Sequence, residues 1–161
     1  MTSFEEKIIP IDGLSAALLA LPRPIVMTNG VFDLLHRGHV AYLEKARALG
    51  ASLLVSVNTD ASVRRLGKDK HRPLNTCADR MAVLAALQSV SAVLAFAEDT
   101  ALAAVLAVRP DIYVKGADYD LSQTPEGRAV LGYGGQVRVI PLVEGRSTTA
   151  LVNQIRLNLQ P

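Results

Sequence analysis

Cysteine and tryptophan are almost missing from this chain: one Cys, at position 77, and no Trp in 161 residues. A lone cysteine cannot close an internal disulfide, so the fold must be held by a packed core, which fits a reducing compartment. A dominant charge is missing as well. Seventeen basic against fifteen acidic residues leave a formal net charge of +2, too little for the long-range field that draws a protein to nucleic acid or to a membrane surface. Neither is expected as a partner. The longest apolar stretch, residues 81–97, is broken by Gln88, Ser89 and Ser91; a membrane span needs about 20 largely apolar residues, so this stretch reads as a helix followed by a buried strand. The opening Met1-Thr2-Ser3-Phe4-Glu5-Glu6 is acidic and without an apolar run, so no secretory signal is expected and a cytoplasmic location is. Two phosphate-binding signatures, GxGxxG and GxxxxGK[ST], are also absent, which argues against nicotinamide-dependent enzymes and P-loop kinases.

What is present is a chain with 50% apolar and 20% charged residues, long enough for a single domain spanning residues 1–161 with its own core. Residues 1–24 form an N-terminal extension packed on it, with a strand-like piece at 7–9 and a helical pattern at 14–21 closed by Pro22 and Pro24. Apolar runs at 25–27, 52–57, 92–96, 111–114 and 136–140 read as strands. Helical periodicity covers 37–49, where Gly50 reads as the C-terminal cap, the stretch after the capping residue Thr76, then 101–108, 126–133 and 150–159. Residues 61–75 are basic, with Arg64, Arg65, Lys68, Lys70, His71 and Arg72, and read as a mobile loop after a short helix. Strands alternating with helices predict right-handed crossovers and a doubly wound, Rossmann-like α/β sheet of about five parallel strands with helices on both faces.

In such a sheet ligands bind beyond the carboxyl ends of the strands, and four unusual segments fall there. Thr28-Asn29-Gly30-Val31-Phe32-Asp33-Leu34-Leu35-His36-Arg37-Gly38-His39 follows the first strand and turns into a helix, a geometry that offers backbone N–H groups and a helix N-terminus to an anion. His36 and His39 read as N–H donors to phosphate, with Gly38 allowing close backbone approach; cap or core histidines are the plain alternative, and a zinc pair lacks further ligands at the right spacing. Asp33 reads equally well as a turn former. Asn58–Asp60 follows the second strand, and Lys115-Gly116 closes the fourth. Gly145-Arg146-Ser147-Thr148-Thr149 precedes the last helix, with three hydroxyls where one helix cap needs a single one. Arg80 and the basic loop read as anion neutralisers or as solvated charges, and Lys45 as a surface residue.

The run Gly30–His39 resembles the GxFDxxHxGH signature of the cytidylyltransferase-like nucleotidyltransferase superfamily. The likeness extends over residues 25–157 through Val57-Asn58-Thr59-Asp60, Asp79-Arg80-Met81, the run from Pro110 to Tyr119, and Glu144–Thr149. Within the superfamily, the VKGxDY run and the Asn of TNGxFD are most similar to adenylyltransferases acting on D-glycero-β-D-manno-heptose 1-phosphate, in the form without a fused sugar kinase. This resemblance implies transfer of AMP from ATP, with Mg²⁺, to a sugar 1-phosphate, and a homo-oligomer. It implies catalytic roles for His36 and His39. It implies ATP contacts from Thr28, Asn29, Gly30, Phe32, Asp33, Gly38, Lys115, Gly116, Asp118, Ser147, Thr148 and Thr149. Asp60, Arg64, Arg65, Lys68, Arg80 and Arg146 would hold phosphate or substrate. The rival readings are a cytidylyltransferase for glycerol phosphate or a similar alcohol phosphate, against which Gln88 weighs because relatives of that kind tend to carry an arginine there, and a nucleotide-binding regulatory module without catalysis.

Overall fold

The inner strands form where apolar residues predominate, because a parallel strand inside the sheet is covered on both faces. β2 (Ser52–Asn58) is buried at every position, and β1 (Ile25–Gly30) at its first four. With β3 (Ala92–Phe96), β4 (Ile112–Lys115) and β5 (Gln136–Val139) they make one sheet in the order β3-β2-β1-β4-β5, parallel at every pairing. The chain winds outward from β1 to β3, returns, and adds β4 and β5 on the other side. The order therefore reverses between β1 and β4, where a crevice opens at the carboxyl ends. The protein is described by a computed structural model over residues 3–67, 71–116, 120–143, 145 and 147–158.

Period-two alternation divides the core. Leu53, Val55 and Val57 of β2 pack with Leu43, Ala46, Leu84 and Ala85 on one face, under α2 (Arg37–Arg47) and α4 (Cys77–Ala85). Leu54 points the other way, into a cluster with Leu14, Val105 and Val130, beneath α1 (Leu14–Ala20), α5 (Leu102–Val108) and α6 (Pro125–Gly132). The short α3 (Asp60–Arg65) follows β2, and α7 (Thr148–Asn158) closes the described chain. The doubly wound sheet expected from the alternation of elements is the observed one.

Local differences have local causes. Residues 4–7 form a 3-10 turn rather than a strand; only Ile8 makes a parallel bridge, to Val93, and the Ile9 N–H donates to the Val93 carbonyl at 2.9 Å. α2 stops at Arg47 with Ala48 at its cap. Gly50 is no left-handed cap. A Cβ there would stand 2.5 Å from the Pro24 carbonyl oxygen and 2.7 Å from Val26 Cγ2, so the glycine permits close passage beside the start of β1. Within the stretch expected as a mobile loop, the N–H groups of Leu74 and Asn75 are bonded to the Asp33 carboxylate. Thr76 caps α4 as expected, accepting from the Asp79 N–H at 3.2 Å.

Candidate active site

The crevice at the strand-order reversal is a cleft of about 370 Å³ lined by Asn29, Gly30, Phe32, His39, Lys115 and Thr148, among others. A larger hollow of about 740 Å³ lies at the amino ends of the strands, beside Arg23, Arg109 and Tyr133. The smaller cleft is the candidate site, because it holds the histidine turn and the carboxyl ends of β1 and β4.

β1 runs straight through Thr28 and Asn29 to Gly30, and the turn that follows forces Phe32 into a left-handed backbone, φ 49°. A non-glycine residue held there stores strain, a recurrent feature of functional turns. A Cβ on Gly30 would stand 3.0 Å from Phe32 Cε2. His36 caps α2: its Nδ1 accepts from the Gly38 N–H at 3.1 Å, which leaves Nε2 as the ring's other polar atom. Its ring stacks on that of His39 with centroids 3.9 Å apart, and Phe32 lies 5.4 Å from His39 on the other side. Burial, with the neighbouring His36, pushes the His39 pKa down to about 4. His39 Nδ1 is buried and finds no hydrogen-bond partner among the described residues. A neutral imidazole with an unpaired buried nitrogen beside a helix N-terminus is suited to meet a phosphate oxygen through an N–H dipole rather than a full charge.

Behind the turn, acidic and basic side chains hold the loops. Asp33, 2% exposed, accepts from the Leu74 N–H at 2.8 Å, the Asn75 N–H at 2.9 Å and Arg72 Nε at 3.0 Å. Burial pushes its pKa up, but the bonds from Asn75, Leu74 and Arg72 outweigh this and hold the carboxyl below its ordinary value. Arg80, also 2% exposed, donates to the Val31 carbonyl at 2.7 Å, to Asp60 Oδ1 at 2.7 Å and to the Asn75 carbonyl at 3.1 Å. Every nitrogen of that guanidinium has a protein partner, so Arg80, with Asp60 beside it, is a clamp on the turn rather than an open phosphate ligand. Asp33 has the same character. Thr28, expected against ATP, is 1% exposed and shares a 2.7 Å hydrogen bond with Tyr42 Oη; its hydroxyl supports α2 from below.

Of the remaining predicted residues, Asn29, Gly30, Phe32, Asp33, His39, Lys115, Gly116 and Thr148 come together around the cleft. Gly38 is buried in the first turn of α2. Ser147 accepts from the Ala150 N–H at 3.0 Å, the single cap α7 needs, while Thr148 Oγ1 donates to the Leu34 carbonyl at 3.4 Å. Thr149 faces a neighbouring niche with His71, Arg72 and Arg156. Arg64 is exposed on α3, and Arg65 is tied to Asp99 at 2.6 Å and to the Ala97 carbonyl, beyond β3 and away from the cleft lining. Lys68, Asp118 and Arg146 lie outside the described residues.

Tyr42 and Leu142 also line the cleft and were not expected there; Arg72, which lines it too, was expected as part of the basic loop. Tyr42 stands three residues after His39, on one helical face with it, a spacing that points to the site. Arg72 was visible only as one of a basic run. Nothing local in the sequence marks Leu142, which reaches the cleft through the fold: a Cβ on Gly116 would meet its Cδ2 at 2.3 Å.

A parallel doubly wound sheet with an HxGH helix start at its order reversal defines a nucleotidyltransferase, and the chain belongs to the cytidylyltransferase-like family, whose model matches residues 27–151. It is 56% identical over 155 residues to the D-beta-D-heptose 1-phosphate adenylyltransferase of Bordetella bronchiseptica, covering 95% of this chain and 96% of that one. It is 53% identical over 150 residues to the bifunctional protein HldE of Pseudomonas aeruginosa, covering 89% of this chain and 32% of the longer relative. The chain thus spans about a third of the bifunctional relatives and nearly all of the Bordetella one. Among solved structures, the lipopolysaccharide core biosynthesis protein of Thermoplasma volcanium superposes with a TM-score of 0.62 at 30% identity, covering 76% of this chain and 98% of that one. Pantothenate synthetase from Thermus thermophilus shares the fold at a TM-score of 0.58 and 19% identity, over 85% of this chain and 62% of that one. No helix among the described residues is long and apolar enough to cross a membrane.

Proposed function

We propose that the protein transfers AMP from ATP to D-glycero-β-D-manno-heptose 1-phosphate, releasing pyrophosphate and forming ADP-heptose. The carrying observation is the 56% identity to the Bordetella heptose 1-phosphate adenylyltransferase across nearly the whole of both chains, joined to a cleft built around the histidine turn. In this reading an oxygen of the sugar phosphate attacks the α-phosphorus of ATP; the new P–O bond forms as the bond to the bridging oxygen of the β-phosphate breaks. The nucleophile is already anionic at neutral pH, so no base has to remove a proton, in keeping with the neutral His39. Catalysis then rests on positioning and on donors aimed at the charge that builds on the α-phosphate. His36 and His39 supply those donors, Gly30 and Gly38 let the backbone approach, and Thr148 at the start of α7 serves the β- and γ-phosphates.

Mg²⁺ accompanies ATP in this proposal and supplies neutralisation of the triphosphate charge. Among the described residues no group of three His, Cys, Asp or Glu side chains stands where a metal could be held. The Asp33 carboxylate is taken up by two N–H groups and Arg72, a donor set that fits an ion carried chiefly by phosphate oxygens and water. The test is pyrophosphate release with ATP or CTP offered against heptose 1-phosphate and glycerol 3-phosphate. Release is expected with ATP and heptose 1-phosphate; its absence there, or preference for CTP with glycerol phosphate, rejects the assignment.

A further inference from the structure

At the floor of the cleft, one amide is gripped from two sides. Lys115 Nζ donates to Asn29 Oδ1 at 3.1 Å and to the Asn29 carbonyl at 2.9 Å. Tyr113 Oη donates to the same Oδ1 at 2.5 Å. The assignment of oxygen and nitrogen in the Asn29 amide follows from chemistry: an ammonium group has only donors, so the atom facing it must be the carbonyl oxygen. Both lone pairs of Oδ1 are thereby used, and the amide cannot turn without losing both partners. Its Nδ2, with two hydrogens, meets no acceptor among the described residues, and Asn29 lines the cleft beside Gly30 and His39.

The sheet produces this arrangement. Met27 pairs with Tyr113 across the parallel β1–β4 ladder, so residues two further along each strand, Asn29 and Lys115, stand side by side on the same sheet face. Tyr113 is 2% exposed and packed in the core cluster with Ile25 and Met27, so its hydroxyl is delivered from a rigid element. The β1–β4 junction is also where the strand order reverses. Three polar side chains thus meet at this junction, at the edge of the cleft.

We infer that Tyr113 and Lys115 are positioning residues that lock the Asn29 amide with Nδ2 toward the cleft, where it donates to an acceptor atom of ATP. This rests on the adenylyl-transfer reading for the identity of the nucleotide. Asn29→Asp is the decisive variant. A carboxylate retains the acceptor for Tyr113 and Lys115 and gains an ion pair with the latter, but it turns a lone-pair-bearing oxygen toward the nucleotide.

The experiment measures ATP affinity by calorimetric titration and Tm by scanning calorimetry for the unsubstituted protein, Asn29→Asp, Tyr113→Phe and the double variant. Asn29→Asp is expected to keep or raise Tm and to weaken ATP binding by roughly 30-fold or more, since a donor is lost and a like charge introduced. Tyr113→Phe alone is expected to weaken binding about 3- to 10-fold, and to cost less in the Asn29→Asp background, because the share of its effect carried by the amide is already gone there. Unaltered ATP affinity in Asn29→Asp, equal losses from Tyr113→Phe in both backgrounds, or affinity losses that merely follow a falling Tm would overturn the inference. If the unsubstituted protein binds no ATP, the adenylyl-transfer reading falls and takes this inference with it; if it binds ATP and the variants bind equally, only the inference falls.

Discussion

His39 enters the site uncharged near neutral pH, because burial and the adjoining His36 ring hold its pKa at about 4 against an ordinary 6.5. In an unfolded chain the same imidazole would take up its proton near pH 6.5. Between pH 6.5 and 4 the unfolded state therefore binds more protons than the folded one, and the stabilising contribution of the neutral ring, complete above 6.5, is lost as pH falls through this window. Thermal melts from pH 7 to pH 4 should show the unsubstituted protein losing Tm more steeply than His39→Asn; parallel slopes would reject the assignment. In the proposed reaction, His39→Ala removes one donor to the α-phosphate. A drop in kcat of about 10²- to 10³-fold is expected, the usual cost of one such donor, measured by pyrophosphate release under saturating ATP.

At the scale of elements, the turn after β1 is held by contacts that come from far along the chain. Arg80 on α4 reaches back to Val31 and Asp60, with its own side chain fully buried and that of Asp60 30% exposed. Arg80→Met should leave two carbonyls and a carboxylate without their donor and cost about 3 kcal/mol, in the range for breaking a buried pair, measured by urea unfolding. α6 offers a paired test of backbone space. A Cβ on Gly127 would stand 2.0 Å from the Leu121 carbonyl oxygen, whereas one on Gly132, at the end of the same helix, meets nothing within 4 Å. Gly127→Ala should therefore destabilise by more than about 2 kcal/mol through overpacking. Gly132→Ala should stabilise by roughly 0.5 kcal/mol through helix propensity.

At the scale of the whole molecule, the cleft is assembled from β1, β4, the start of α2, the segment around Arg72 and the start of α7. A nucleotide seated there touches parts that are distant in sequence and binds the folded state alone. ATP at about 100 times its Kd should add about 2.7 kcal/mol of stability. For a chain of this size that raises Tm by roughly 5–10 °C, read by scanning calorimetry with and without MgATP. An unmoved Tm at saturating nucleotide would contradict the cleft as its binding place.

The sequence by itself determined the order and kind of the elements and the class of the site. Predominantly apolar runs such as 52–57 are covered in the interior of a parallel sheet, and the Gly30–His39 pattern places glycines and histidines where a strand turns into a helix; both are local properties of consecutive residues. What only the tertiary structure decided is how the polar side chains are used. Arg80, Asp60, Asp33 and Thr28 share the sequence signature of ligand-binding groups, yet the fold commits them to partners within the protein: Arg80 to Val31, Asn75 and Asp60, Asp33 to Leu74, Asn75 and Arg72, and Thr28 to Tyr42. Conversely, Leu142 carries no local mark of function, and reaches the cleft because the chain after β5 folds over Gly116. Whether a charged or hydroxyl side chain faces a ligand or a carbonyl depends on distances between segments tens of residues apart, which no local pattern encodes.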